Sequence, residues 1–146
     1  MEKELINENI VLFDVEATDK EGVIRLIAES MNEDGRLIDK EGYVKDVLKR
    51  EKKSSTAIGF STATPHAKSV SVKEPSLSFV HLKNPMQWDD EKVTMVFQIA
   101  VPSPGQGDRH LEILAKLFRN LVHDEFRNKL SAAKNQREVV DLLKGF

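Results

Sequence analysis

The sequence predicts an α/β fold: one domain over residues 1–146, with a mixed central β-sheet flanked by helices. Three observations lead there. Short runs rich in β-branched and aromatic residues alternate with capped stretches whose apolar residues recur at helical spacing. No repeat, low-complexity tract or linker-like segment divides the chain. The composition, 146 residues with 40% hydrophobic and 32% charged side chains, is that of an ordinary globular domain. A chain of this length buries roughly 68–70% of its unfolded surface, enough for one core without covalent staples.

The first element is strand-like, Ile10 to Val15, and has no helical period. A helix follows. Thr18 with Glu21 reads as its capping box, and Ile24, Ile27, Ala28 and Met31 form its apolar stripe. Asn32-Glu33-Asp34-Gly35 ends it. Asp39 then caps a second helix with Tyr43, Val44, Val47 and Leu48 on one side and Lys49 and Arg50 in its last turn. Ser54 to Ser61 reads as a strand, and Thr62-Ala63-Thr64-Pro65-His66 turns out of it, because proline cannot donate to a ladder and holds its predecessor extended. His66 is therefore expected on a loop. Two strands follow, Leu77 to Leu82 and Val93 to Val101, joined by a polar turn from Asn84 to Lys92 that carries Trp88, the only Trp. The second is apolar on both faces and belongs at the centre of the sheet. After the Pro102-to-Gly107 loop, Asp108 caps a long helix whose predicted inner face is Leu111, Leu114, Ala115, Phe118, Leu121 and Val122. Two shorter helices close the chain. One begins near Asp124 with Phe126 and Leu130 inward; the other opens on an Asn135–Glu138 capping box before Val139, Leu142 and Leu143.

Composition removes several function classes. There is no Cys, so disulfides, thiolate metal sites and Cys nucleophiles are excluded together, in keeping with a reducing compartment. With 22 basic against 24 acidic residues the chain has no global attraction to nucleic acid or anionic lipid. The acidic, polar start MEKELINENI lacks the positive head and apolar run of an export signal. Val93 to Val101 is far shorter than the roughly 20 apolar residues of a membrane helix. A soluble, cytoplasmic protein is expected.

The chemistry centres on four histidines, the side chains that change charge near neutral pH without a perturbed pKa. His123 at the end of the long helix suits the helix dipole, and His81 alternates with Leu77 and Phe79 as a partly packed strand residue. His66 follows a proline at a strand exit, where side chains project from a rigid scaffold, although by residue type and place it reads equally as a solvated loop histidine. His110 lies in the first turn of the long helix, where free amides and the positive dipole end attract phosphate; a plain surface histidine is the alternative.

Other templates fit poorly. No HExxH-like spacing supplies further metal ligands, so no metal is expected. Asp89-Asp90-Glu91 lacks the glycine and spaced oxygens of a calcium loop and reads as a solvated turn. Gly105-Gln106-Gly107 resembles a dinucleotide fingerprint, but His110 takes the third glycine position. No cofactor is expected. A neutral imidazole can itself attack phosphorus through one nitrogen while a hydrogen bond on the other fixes the tautomer. His66 as nucleophile, with His110, Arg50 and the helix amides around the phosphoryl group, satisfies that chemistry without a metal. Taken alone, Arg50 would be a surface cation near a helix C-terminus.

The segments Ser55-Thr56-Ala57-Ile58-Gly59 and Ala63-Thr64-Pro65-His66-Ala67-Lys68 resemble the active-site segment of the fructose/mannitol-type enzyme IIA domains of the bacterial sugar phosphotransferase system. Lys73-Glu74-Pro75, Phe97 to Pro102, Gly107-Asp108-Arg109-His110-Leu111 and Asp124-Glu125-Phe126-Arg127 resemble further stretches of that family in the same order. The resemblance implies the enzyme IIA fold and a phosphoryl group carried on Nε2 of His66. It implies phosphorylated HPr as donor and an enzyme IIB domain, usually at a cysteine, as acceptor, with the membrane IIC component engaged indirectly. By the same match His110 is the second active-site histidine, Arg50 a phosphate-facing cation, and Ser55 and Thr56 hydroxyl donors near the phosphate. Phe60, Thr62 and Thr64 depart from the family pattern and would alter the pocket wall and docking surface. Fructose-type uptake is the expected role; the alternative is a regulatory module whose phosphorylation state governs binding to a regulator.

Overall fold

The computed structural model describes residues 4–144 and 146; the first three residues of the acidic start, part of the segment that lacks the pattern of an export signal, lie outside the described residues. After a 3-10 turn at Glu8–Ile10 the elements run β1 (Val11–Val15), α1 (Lys20–Glu33), α2 (Lys40–Lys53), β2 (Ala57–Gly59), β3 (Thr62–Ala63), β4 (His66–Ser69), β5 (Ser76–Trp88), β6 (Glu91–Pro102), α3 (Arg109–Leu121), α4 (Asp124–Ala132) and α5 (Gln136–Leu143). The sheet order is β1-β5-β6-β3-β2, and β4 pairs with β6 farther along the edge that β3 occupies. β1 runs parallel to β5, and β3 and β4 run parallel to β6, whereas β5–β6 and β2–β3 are antiparallel. The sheet is mixed, as expected.

β6 is buried without interruption from Met95 to Val101, so both faces are covered, which accounts for apolar residues on each of them. Tyr43 of α2 donates its hydroxyl to the Ile99 carbonyl (3.0 Å) and Gln98 of β6 donates to the Ile24 carbonyl of α1 (3.3 Å), which ties both helices to this strand. Arg36 is fully buried just beyond α1. Its guanidinium meets the Asp34 carboxylate (2.7 Å), the Glu4 and Pro75 carbonyls (2.8 and 3.2 Å) and the Ser76 hydroxyl (3.1 Å), so one cation joins the chain start, a helix end and the start of β5.

Several expectations need correction. The cap of α1 is Asp19, whose carboxylate accepts from Gly22 N at 2.7 Å, and not Thr18; a carboxylate at the cap also meets the positive dipole end. The predicted polar turn from Asn84 to Lys92 is ladder almost throughout: β5 and β6 pair as far as Trp88 and Glu91, leaving a turn at Asp89-Asp90, and Trp88 is fully buried. Polar residues at the far end of this hairpin alternate outward while Met86, Trp88 and Val93 point in, a pattern hidden by Pro85 and the irregular register between His81 and Met86.

On α3 the buried stripe is Ile113, Leu117 and Leu121; of the predicted face Leu121 is buried as expected, whereas Leu111, Phe118 and Val122 stay about half exposed. The helix carries two apolar stripes, and the sheet covers one. At α5 Asn135 caps as expected, but the Glu138 carboxylate reaches the amide of Lys134 (2.6 Å) and not that of the cap residue. His123 is the N-cap position of α4, one residue past the C-cap of α3.

Candidate active site

Pro65 interrupts the edge ladder, which lapses at Thr64 and Pro65, and β3 and β4 pair in parallel with β6 on either side of the gap. His66 is thus the first residue of a strand and not part of a loop, and it is only 8% exposed. Register with Ile99 fixes its backbone, so the ring is held by the central strand of the fold. The side chain turns back on its own chain: Nδ1 lies 2.8 Å from the Thr64 carbonyl oxygen. A carbonyl only accepts, so Nδ1 carries the proton and Nε2 keeps the lone pair. Burial holds the His66 pKa below the ordinary histidine value; Arg50 and His110 push it the same way, against the Thr64 carbonyl and the Glu51 carboxylate.

His110, in the first turn of α3, brings its ring centroid to 6.3 Å from that of His66, with the planes inclined at 34°. Its Nδ1 is buried and has no hydrogen-bond partner. Its pKa is lowered by burial and then by Lys68, with Asp108 opposing. Arg50 reaches the same cleft from the last turn of α2, steadied by the Ser54 carbonyl at 3.0 Å. The cleft has a volume of about 580 Å³ and carries Lys49, Arg50, Lys53 and Lys68 around the two histidines. Its one acid, Asp46, is engaged by the Ser69 hydroxyl at 2.6 Å. Four cations and two uncharged imidazoles suit a multiply charged anion such as a phosphoryl group.

The structure therefore brings His66, His110 and Arg50 together. Ser55 and Thr56 line a separate pocket of about 420 Å³ on another side of His66, and both hydroxyls have partners within the chain. Thr56 Oγ1 donates to Glu51, and Ser55 Oγ accepts from the Ala57 amide at 3.2 Å. The start of α3 is also less open than its position implies, because the amides of Arg109 and Leu111 already meet the Gln106 and Asp108 carbonyls.

Sequence gives no functional reason to single out Lys49, Lys53, Lys68 or Glu51. The lysines look like solvated charges until the fold gathers them. Glu51 had a signal: an acid in the last turn of a helix, amid Lys49-Arg50 and Lys52-Lys53, opposes the helix dipole and needs another reason to be there.

Fold and site together define a class, the enzyme IIA mannitol-type α/β fold with a histidine pair in a basic cleft. Residues 4–145 match the family described as "Phosphoenolpyruvate-dependent sugar phosphotransferase system, EIIA 2", and the chain belongs to that family. It is a phosphotransferase-system component. It is 34% identical over 127 residues to the "PTS system fructose-specific EIIA component" of Haloferax volcanii, covering 85% of this chain and 82% of that one. It is 32% identical over 143 residues to the "PTS system fructose-specific EIIABC component" of Bacillus subtilis, of which it spans only 22%. Among solved structures it superposes with a TM-score of 0.80 on the Escherichia coli "Complex of enzyme IIAMTL and phosphorylated enzyme IIBMTL", at 24% identity over 97% of this chain and 98% of that one.

Proposed function

We propose that this chain is a phosphoryl carrier of the sugar phosphotransferase system that accepts a phosphoryl group from phosphorylated HPr on Nε2 of His66 and passes it to an enzyme IIB domain, in the cytoplasm and for fructose-type uptake. The observation that carries the reading is the 2.8 Å contact of His66 Nδ1 with the Thr64 carbonyl, which leaves Nε2 as the nucleophilic nitrogen of a ring lining a basic cleft. The fructose-specific relatives and the solved complex of a IIA with its phosphorylated IIB support the choice of sugar class and acceptor.

In the first transfer the Nε2 lone pair forms a bond to phosphorus as the donor's P–N bond breaks, and that electron pair returns to the donor nitrogen. His66 keeps its Nδ1 proton and becomes a phosphorylated imidazolium. In the second transfer a IIB nucleophile, a cysteine thiolate in this family's usual pattern, bonds to phosphorus and the P–N electrons return to Nε2. Arg50 and His110 offset the charge on the equatorial oxygens during both steps. Donor and acceptor are proteins, and the uncovered apolar side chains beside the site suit them: Leu111 lines the cleft, and Phe118 lines the neighbouring pocket with Phe60 packed against it at 6.4 Å. The membrane IIC component is engaged through IIB.

The test is transfer of labelled phosphoryl from phosphorylated HPr. His66→Ala takes up no label, whereas His110→Ala still takes it up on His66 but about 10²-fold more slowly, the scale of losing one preorganised charge-stabilising group. Normal labelling of His66→Ala would overturn the assignment.

A further inference from the structure

Glu51 is a buried acid, 5% exposed and set in the last turn of α2 where the helix dipole disfavours it. It accepts the Thr56 hydroxyl. The Thr56 carbonyl in turn accepts both the Thr64 amide (2.9 Å) and the Thr64 hydroxyl (3.2 Å). Thr64 then presents its own carbonyl to His66 Nδ1 at 2.8 Å. A continuous path of hydrogen-bonded residues thus joins Glu51 to the face of the imidazole opposite the nucleophilic nitrogen. On its outer side Glu51 meets Lys20 at 3.5 Å, and Lys20 is held by Asp89 at 2.9 Å.

Phosphorylation changes what this site must hold. The free ring is neutral, but bond formation at Nε2 with Nδ1–H retained leaves a positive ring carrying a dianionic phosphoryl group. Arg50, His110 and the rim lysines Lys49, Lys53 and Lys68 favour the phosphoryl oxygens and oppose the cationic ring. Asp46, the cleft's acid, is turned to Ser69. Glu51 is the anion that acts on the ring from behind.

We propose that Glu51 is the positioning residue of the phosphohistidine site: through Thr56 and Thr64 it fixes the Nδ1–H tautomer of His66, and its negative charge stabilises the imidazolium formed when Nε2 is phosphorylated. Lys20 moderates that charge. The proposal rests on His66 being the phosphoryl carrier and adds the group that sets how firmly the phosphoryl is held.

The test reads the His66 imidazole by NMR titration of the unphosphorylated protein, with His81 and His123 as internal controls, and then the equilibrium of label between HPr and His66. Glu51→Gln keeps an oxygen for Thr56 but removes the charge. It is expected to lower the proton affinity of His66 and to shift the label towards HPr, each by about three- to tenfold, while His81 and His123 do not move. Lys20→Met, at a partly exposed position, is expected to act in the opposite direction, and to lose its effect in the Glu51→Gln background. The opposite sign keeps the idea testable even if Glu51→Gln fails to fold. Unchanged His66 titration in Glu51→Gln, or a Lys20→Met effect of the same sign or of none, overturns it. Because the titration needs no donor, such a result is distinct from failure of the carrier reading, which would show as absence of label on His66 in the unaltered protein.

Discussion

For the acceptor role proposed for His66 the ring has to be uncharged when the donor arrives, and burial achieves this before any neighbouring charge is considered. The pKa sits below the ordinary histidine value, so at neutral pH and somewhat into the acid range the ring keeps its lone pair. Label uptake should therefore hold level as pH falls through about 6.5, the ordinary histidine value, and decline only at lower pH. A rate profile from pH 8 to 5 with phosphorylated HPr at saturation checks this; an inflection at or above the ordinary value would show a ring more exposed than the fold implies. The motif Thr64-Pro65-His66 was readable as chemistry in the sequence. That the ring is clamped by a carbonyl two residues back was not, because such a contact depends on the backbone path around the proline.

At the scale of elements, the site is assembled from three element ends: the last turn of α2 with Arg50 and Glu51, the first residue of β4 with His66, and the first turn of α3 with His110. Each lies near its predicted place, but of the inward face expected for α3 only Leu121 is fully buried, since the helix's apolar residues span more than one stripe and docking against the sheet selects Ile113, Leu117 and Leu121. The turn joining β2 and β3 is unusual in a different way. Gly59, Phe60 and Ser61 all have positive φ, and Phe60 packs on Phe118 and lies 4.4 Å beneath the Arg127 guanidinium. Phe60→Gly relieves a strained backbone position but removes both ring contacts. These effects, each about 1 kcal/mol, should nearly cancel in a urea denaturation midpoint, while transfer to IIB slows as an exposed apolar contact beside the pocket is lost. Arg36 is the opposite case. Arg36→Met takes the guanidinium from the Asp34 carboxylate, which keeps only the Asn7 and Asn9 amides, and from the Glu4 and Pro75 carbonyls, and should cost about 3 kcal/mol in the same measurement.

For the whole molecule, the two site histidines make stability depend on pH. Both have folded pKa values below those of the unfolded chain, so the unfolded state binds more protons in the acid range, and stability rises with pH there. Their contribution is fully present above the ordinary histidine value and is lost as pH falls below it. The unfolding midpoint in urea should therefore drop between pH 7 and 5, and a His66→Ala, His110→Ala double variant should flatten that part of the curve. Charge is also distributed unevenly. A chain with a formal net charge of −2 gathers four cations in one cleft, so its attraction for an anionic group is local.

Some of this follows from residue order alone. The alternation of strand-like runs with capped helices dictates a mixed α/β fold, because each amphipathic element must bury one face against another. Apolar residues on both faces of β6 dictate its central place, and the segments around His66 and His110 carry the family likeness. Only the tertiary structure decides which of two stripes on α3 is covered, that Trp88 is core, that Ser55 and Thr56 are bonded within the chain, and that Glu51 stands behind the His66 ring. Those outcomes depend on contacts between residues distant in sequence, whose burial and pairing energies exist only once the sheet has brought them together.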